Sequence, residues 1–267
     1  MKNQTKLWRL FFAVGLFAIA IQQLVVADFM PVILPAGYPA WLSHRLIWDW
    51  VFSILLAAAC LCIFFRIKAR LVSLLTAGVL LLFVLIFQVP GQLSIPEPFH
   101  LFVWSNPFKE LTLSGGAFLV AGSFVRGNNV SGLEHFLEKL IPAGKYFFAV
   151  TMVVFGAMHF VYLDFVTTLV PNWIPGHIFW AQLAGMGLFS GGIAIILAGV
   201  QVSMFGVKTI MSPYHLAAKL LGIIIFIWLI VLHIPRAIAD PYSGNGNEVV
   251  SVFEALAFSG IAFLISE

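Results

Sequence analysis

The sequence predicts an all-α integral membrane protein with about eight transmembrane helices, arranged as two parallel four-helix repeats. Three observations lead there. Charged residues make up only 9% of the chain and hydrophobic residues 61%, with a mean hydropathy of +1.04, whereas a soluble domain is roughly a quarter charged. The apolar runs are long and do not alternate, so they would cross a bilayer as helices and not as barrel strands. The second half of the chain also repeats the first.

Taken in order, the apolar runs cover 10–27, 47–65, 71–89, 109–125, 146–164, 178–200, 217–234 and 249–265. The first follows a basic start but lacks a small-x-small cleavage site and is long enough to span, which predicts a membrane helix and no cleaved signal. Eight crossings put Lys2, Lys6, Arg9, Arg66, Lys68, Arg70, Arg126, Lys139, Lys145, Lys208 and Lys219 on one face and only Arg45, Lys109 and Arg236 on the other. The basic face is therefore expected to be cytoplasmic, with both termini inside, as in a bacterial-type inner (cytoplasmic) membrane. The net charge of +3 then reflects topology in the lipid bilayer and implies no nucleic acid partner. Cys60 and Cys62, two apart on a helix, point about 200° away from each other and read as small apolar residues. Gly187 and Gly191, and Ser114, Gly115, Gly116 and Ala117, mark places where helices approach closely. The sequence contains no phosphate loop, zinc spacing or nucleophile motif.

The internal repeat sets the domain boundaries. With one offset, Arg9 meets Lys145, "FFAV" at 11–14 meets 147–150, Asp28-Phe29 meets Asp164-Phe165, and Pro35 and Pro39 meet Pro171 and Pro175. A second offset aligns "LIFQVPGQL" (85–93) with "IVLHIPRAI" (230–238), and "FKELTLSGGAFL" (108–119) with "FEALAFSGIAFL" (253–264). The predicted units are 1–126 and 145–267, joined by a cytoplasmic linker, 127–144. In the linker Leu133, Phe136, Leu137, Leu140 and Ile141 follow helical spacing, which predicts a short amphipathic helix on the membrane. Four helices per copy leave both copies in one orientation, related by a pseudo-twofold axis along the membrane normal.

Asp28 and Asp164 each lie 19 residues beyond Arg9 and Lys145, close to 30 Å at about 1.5 Å per residue, which sets both near the extracytoplasmic boundary. Such aspartates either end their helices and hold the next loop or flank an outward-facing cavity. His159 lies about 7 Å deeper than Asp164, and His233 closes the seventh helix on the same side, one turn before Arg236. The matching positions in the first copy are Gln23 and Gln88. An amide keeps hydrogen-bonding capacity but takes up no proton near neutral pH, whereas an imidazole does. Either both pairs are structural, or the second copy carries a proton-active site that the first has lost. His159 and Asp164 are about 140° apart around the helix, so they need not share a face.

The stretch "GAMHFVYLDFVTTLVPNWIPGHIFWAQLAG" (156–185) resembles the first two helices of DoxX-like membrane proteins. "NPFKELTLSGGAFLVAG" (106–122) and "KLLGIIIFIWLIVLHIP" (219–235) resemble that family's later helices. The resemblance implies a four-helix bundle per unit, here as a tandem duplication. It also implies a link, in some members, to quinone-dependent redox chemistry such as quinol or thiosulfate oxidation. On the matching positions it carries over His159 and Asp164.

Three function classes are compatible with these residues. The first is a quinone-interacting redox protein, or a subunit with a redox partner. His159 and His233 would bind the cofactor and move the coupled proton, Arg236 would favour negative charge and Asp164 would connect to water. A bis-histidine haem on His159 and His233 is the less favoured variant, and no other metal is expected. The second is a permease or flippase, which the scarcity of midplane polar residues argues against. The third is a non-catalytic scaffold.

Overall fold

The computed structural model describes residues 3–37, 39, 42–127, 131–205 and 213–267. Lys2 and Lys208, two of the residues used for orientation, and the linker residues 128–130 lie outside the described residues. Apart from turns and short loops, every described element is helical.

Among the described residues, seven helices are long and apolar enough to cross a membrane. Helix α1 (Asn3–Val26) is followed by α2 (Arg45–Phe65). Helix α3 (Ala69–Phe83) continues through a π-helical turn, Val84–Gln88, into Val89–Leu93. Helix α4 is Ser105–Gly122, and the short α5 (Gly132–Glu138) carries its N-terminal cap on Ser131. Helix α6 (Gly144–Val161) breaks at Tyr162 before the short α7 (Leu163–Leu169), and α8 (His177–Phe205) follows. Helix α9 (Pro213–Trp228) passes through a π-turn, Leu229–His233, into Ile234–Ala239, and α10 (Asn247–Ile265) ends the chain.

Both π-turns have one cause. Pro90 and Pro235 lack an N–H, and their rings crowd the carbonyl four residues earlier. A turn with one extra residue lets the ring clear without ending the helix.

Helix α4 is not among the seven apolar helices, and it occupies 105–122 where the apolar run predicts 109–125. Its 18 residues reach about 27 Å at about 1.5 Å each, close to a bilayer core. Its polarity is tolerated because protein covers it: Glu110, Thr112 and Ser114 are fully buried. Ser114 donates to the Ala77 carbonyl at 2.8 Å, which satisfies its hydroxyl inside the bundle.

The long helices close into a ring. Each of α1, α2, α3, α4, α6, α8, α9 and α10 packs on the next, α10 returns to α1, and α4 and α10 also touch across the middle. The core of this ring includes Phe12, Leu16, Phe118, Phe148 and Ile261, all fully buried. In α5, Leu137 is buried and reaches Gly78 of α3, whereas Leu133 and Phe136 are exposed. Cys60 and Cys62 are free thiols on α2.

Glycines set the closest approaches. A Cβ on Gly115 would stand 2.7 Å from the Gly144 carbonyl oxygen, and one on Gly144 2.5 Å from that of Gly115. Backbone cannot yield as a side-chain tip can, so Gly115→Ala is expected to cost about 1–3 kcal/mol. Gly187→Ala meets only the Ile224 Cδ1 atom, at 3.0 Å, and is expected to be near neutral. Thermal unfolding of both variants in detergent checks this, and equal midpoints would remove the close-approach account.

Candidate functional site

At the end of the bundle opposite the termini, α4, α6, α7, α8, α9 and α10 line a cavity of about 250 Å³. Its wall is mostly aliphatic and aromatic, with Trp180 and Phe155 among the rings and His159, His233, Lys109, Ser251 and Glu254 as polar groups. An apolar cavity of about 150 Å³ already takes a benzene ring, so a ring-sized headgroup fits.

Each polar side chain is placed by local structure. His159 lies in the last turn of α6, with Nδ1 2.7 Å from the Phe155 carbonyl oxygen. A carbonyl only accepts, so Nδ1 carries the hydrogen and Nε2 of the neutral ring is left as an acceptor. Gly185 of α8 makes room for this residue: a Cβ there would lie 2.6 Å from His159 Cβ. His233 is the last residue of the π-turn in α9, on a different helix of the same wall. Lys109 Nζ and Glu254 Oε2 form an ion pair at 2.8 Å, with side chains 19% and 5% exposed. The other Glu254 oxygen is buried without a partner. Ser251 and Trp180 spend their donors on the Asn247 and Pro175 carbonyls at 3.0 and 3.1 Å. Among the described residues His159 Nε2 and Glu254 Oε1 are left as unspent acceptors, and the His233 ring makes no hydrogen bond.

The aligned residues of the N-terminal half have another setting. There the chain after α1 folds inward, and Met30, Val32, Ile33 and Leu34 are buried to within 1%. Gln23 accepts from the Met30 N–H at 3.1 Å and donates to Ser53 Oγ at 2.7 Å, while Gln88 donates to the Pro31 carbonyl at 2.9 Å. The two glutamines therefore meet through this loop and hold it as a plug. In the C-terminal half the aligned segment is α7. Its Val166 and Leu169, with Val170 just beyond, line the cavity.

Of the residues singled out from sequence, His159 and His233 share the cavity wall and Asp164 and Arg236 do not. Asp164 is exposed at the start of α7. Arg236 is spent on Glu248, through Nε to Oε2 at 3.0 Å and Nη2 to Oε1 at 2.5 Å. Asp28 has the plainer role: its Oδ1 accepts from the Phe29 N–H at 2.8 Å and pairs with Arg45 at 2.7 Å, tying down the plug.

Sequence reasoning missed Lys109 and Glu254 as site residues, and the buried carboxylates Asp49 and Glu110. Asp49 accepts from Ser53 at 3.2 Å, and Glu110 lies beside Gln88. A signal for the first pair is present: the alignment of 108–119 with 253–264 sets Lys109 against Glu254, opposite charges at equivalent positions. Among the described residues, no group of three His, Cys, Asp or Glu side chains is placed to hold a metal ion.

Comparison of the chain with protein-family models, curated proteins and solved structures finds no match.

Proposed function

We propose that this is a DoxX-like membrane protein of two parallel four-helix units, whose second unit holds a lipid-borne quinone between His159 and His233. The units are 1–126 and 145–267, they cross the membrane eight times with α4 as the eighth span, and both termini face the cytoplasm. What supports the duplication is reciprocity. Helix α1 lies on α10 as α6 lies on α4, and the π-turns fall at aligned positions. The Gly115–Gly144 approach has its counterpart where Gly260 meets the Trp8 carbonyl. Thr151, aligned with Gly15, donates to the Phe108 carbonyl at 2.9 Å, while Gly15 faces the aligned Phe253 carbonyl. Residues beside a twofold axis meet their own equivalents. Lys109 meets Glu254, and Gly116 meets Ile261.

The observation that carries the site is the exchange of a plug for a cavity. The first unit fills the space below its loop with its own side chains and holds them with amides. The second leaves the space open and faces it with imidazoles. A quinone, when bound, exchanges two electrons and two protons. The residues here suit it: His159 Nε2 accepts a hydrogen bond from a ring hydroxyl and takes up its proton, and His233 supplies a second imidazole. Glu254 Oε1 is a further acceptor, held in place by Lys109, and the apolar wall excludes water from the ring.

The test is cofactor analysis of detergent-purified protein beside a His159→Gln, His233→Gln double variant, which reproduces the amides of the first unit. The wild type is expected to carry quinone in its lipid extract by mass spectrometry. The folded variant is expected to lose most of it. A visible band that changes on reduction would assign the histidines to haem instead. A wild type with neither group would overturn the redox proposal in favour of a scaffold or permease.

A further inference from the structure

At the opposite end of the bundle, where α1 begins, α2 turns into α3 and α4 ends, lies a second cavity of about 560 Å³. It is lined by Arg9, Arg66, Lys68 and Arg70, with Glu134 as its one carboxylate. We infer that it is a binding site for a phosphate group, such as an anionic lipid headgroup carries.

Three observations carry this. Arg9 is only 4% exposed, yet its guanidinium is not fully used. Its Nε donates to Ser123 Oγ at 2.7 Å, Nη2 donates to the Ser123 carbonyl, and the group lies 3.8 Å over the Phe124 ring. These contacts fix the plane of the guanidinium, and the buried Nη1 is left with no partner. A buried cation with a free donor is costly unless an anion completes it.

Second, the cations around it lack counter-charges. Among the described residues Arg66 and Lys68 have no ion-pair partner, although both line the cavity with Arg9. Arg70 is different: it pairs with Glu138 at 2.7 Å and holds the Ala121 and Phe124 carbonyls, so it serves as part of the frame.

Third, the backbone is committed to this arrangement. Arg66 and Lys68 both sit in the left-handed region, at φ 62° and 45°, in the turn between α2 and α3. Non-glycine residues there cost energy, and here the cost keeps two long cations beside one buried one. Forked arginine donors match phosphate oxygens better than a single carboxylate does. The cavity lies at the ends of spanning helices, which is the depth of lipid headgroups.

The experiment uses the full chain, delipidated in detergent. Bound lipid is counted by mass spectrometry, and the unfolding midpoint is followed against phosphatidylglycerol, phosphatidylcholine and inorganic phosphate. Phosphatidylglycerol is expected to bind and to raise the midpoint. Phosphatidylcholine is expected to bind far more weakly and to move the midpoint little, because its ammonium group offsets the charge of the same phosphodiester. Arg66→Gln with Lys68→Gln, both exposed and remote from the core, is expected to weaken binding at least about tenfold, and Arg9→Gln to do the same if it folds. Displacement of the lipid by millimolar inorganic phosphate would assign the site to free phosphate groups, whereas lipid binding without displacement would assign it to the headgroup. Equal binding of the two lipids with no effect of phosphate, or unchanged phosphatidylglycerol binding in the Arg66/Lys68 variant, would overturn the inference.

Discussion

Lys109→Met is expected to destabilise the protein by about 3–5 kcal/mol, because it strands a carboxylate that is 5% exposed. Glu254 already has one oxygen without a partner, so losing Lys109 leaves it nothing to offset desolvation. Lys109→Met combined with Glu254→Met is expected to recover most of that loss, since a buried ion pair replaced by apolar side chains of similar size is often neutral. The exchange Lys109→Glu with Glu254→Lys should fold as well, because it keeps one cation and one carboxylate facing each other between α4 and α10. Thermal unfolding of the wild type, both single variants and the double variant in one detergent gives the coupling. If the double variant falls as far as the sum of the singles, the pair is not what holds α4 against α10.

The second large effect belongs to the plug. Met30 is 1% exposed and sits where the second half has its cavity, so Met30→Ala is expected to cost about 2–5 kcal/mol through lost contacts and the space left behind. The same variant should leave bound quinone unchanged, because the loop that carries Met30 is held by glutamines and no imidazole. His159→Gln with His233→Gln should do the reverse, losing ligand while the unfolding midpoint moves little. Quinone content and unfolding measured on the two variants side by side separate filling from binding. Loss of quinone in Met30→Ala would mean that the ligand, where present, does not belong to the second unit alone.

These predictions rest on residues that were unequally legible. His159 and His233 stood out because an ionisable group near a membrane span has few reasons to be there. Their shared wall was not readable, because it depends on the π-turn at Pro235 and on the approach of α6 to Gly185. Arg236 looked available one turn after His233. It is not, because Glu248, twelve residues on, folds back to meet two of its three guanidinium nitrogens. Helix α4 began four residues earlier than its apolar run, since hydropathy registers exposure to lipid and α4 is covered by protein. Lys109 served in the sequence only to orient the chain and Glu254 drew no reading, and it is the packing of α4 on α10 that brings them together.

The sequence by itself determined the class: a helical chain that buries its backbone hydrogen bonds within each apolar segment and so suits a bilayer. It also carried the cause of the asymmetry between the halves. Pro31 stops a helix after α1, whereas the aligned Thr167 permits one and donates to the Asp164 carbonyl at 2.8 Å. What only the tertiary structure decided is the consequence. Without a helix, the apolar residues after Pro31 turn inward and fill their space, while α7 stays at the surface and leaves its space open. Local backbone preference is written residue by residue, but whether a space is filled depends on which side chains from distant helices surround it.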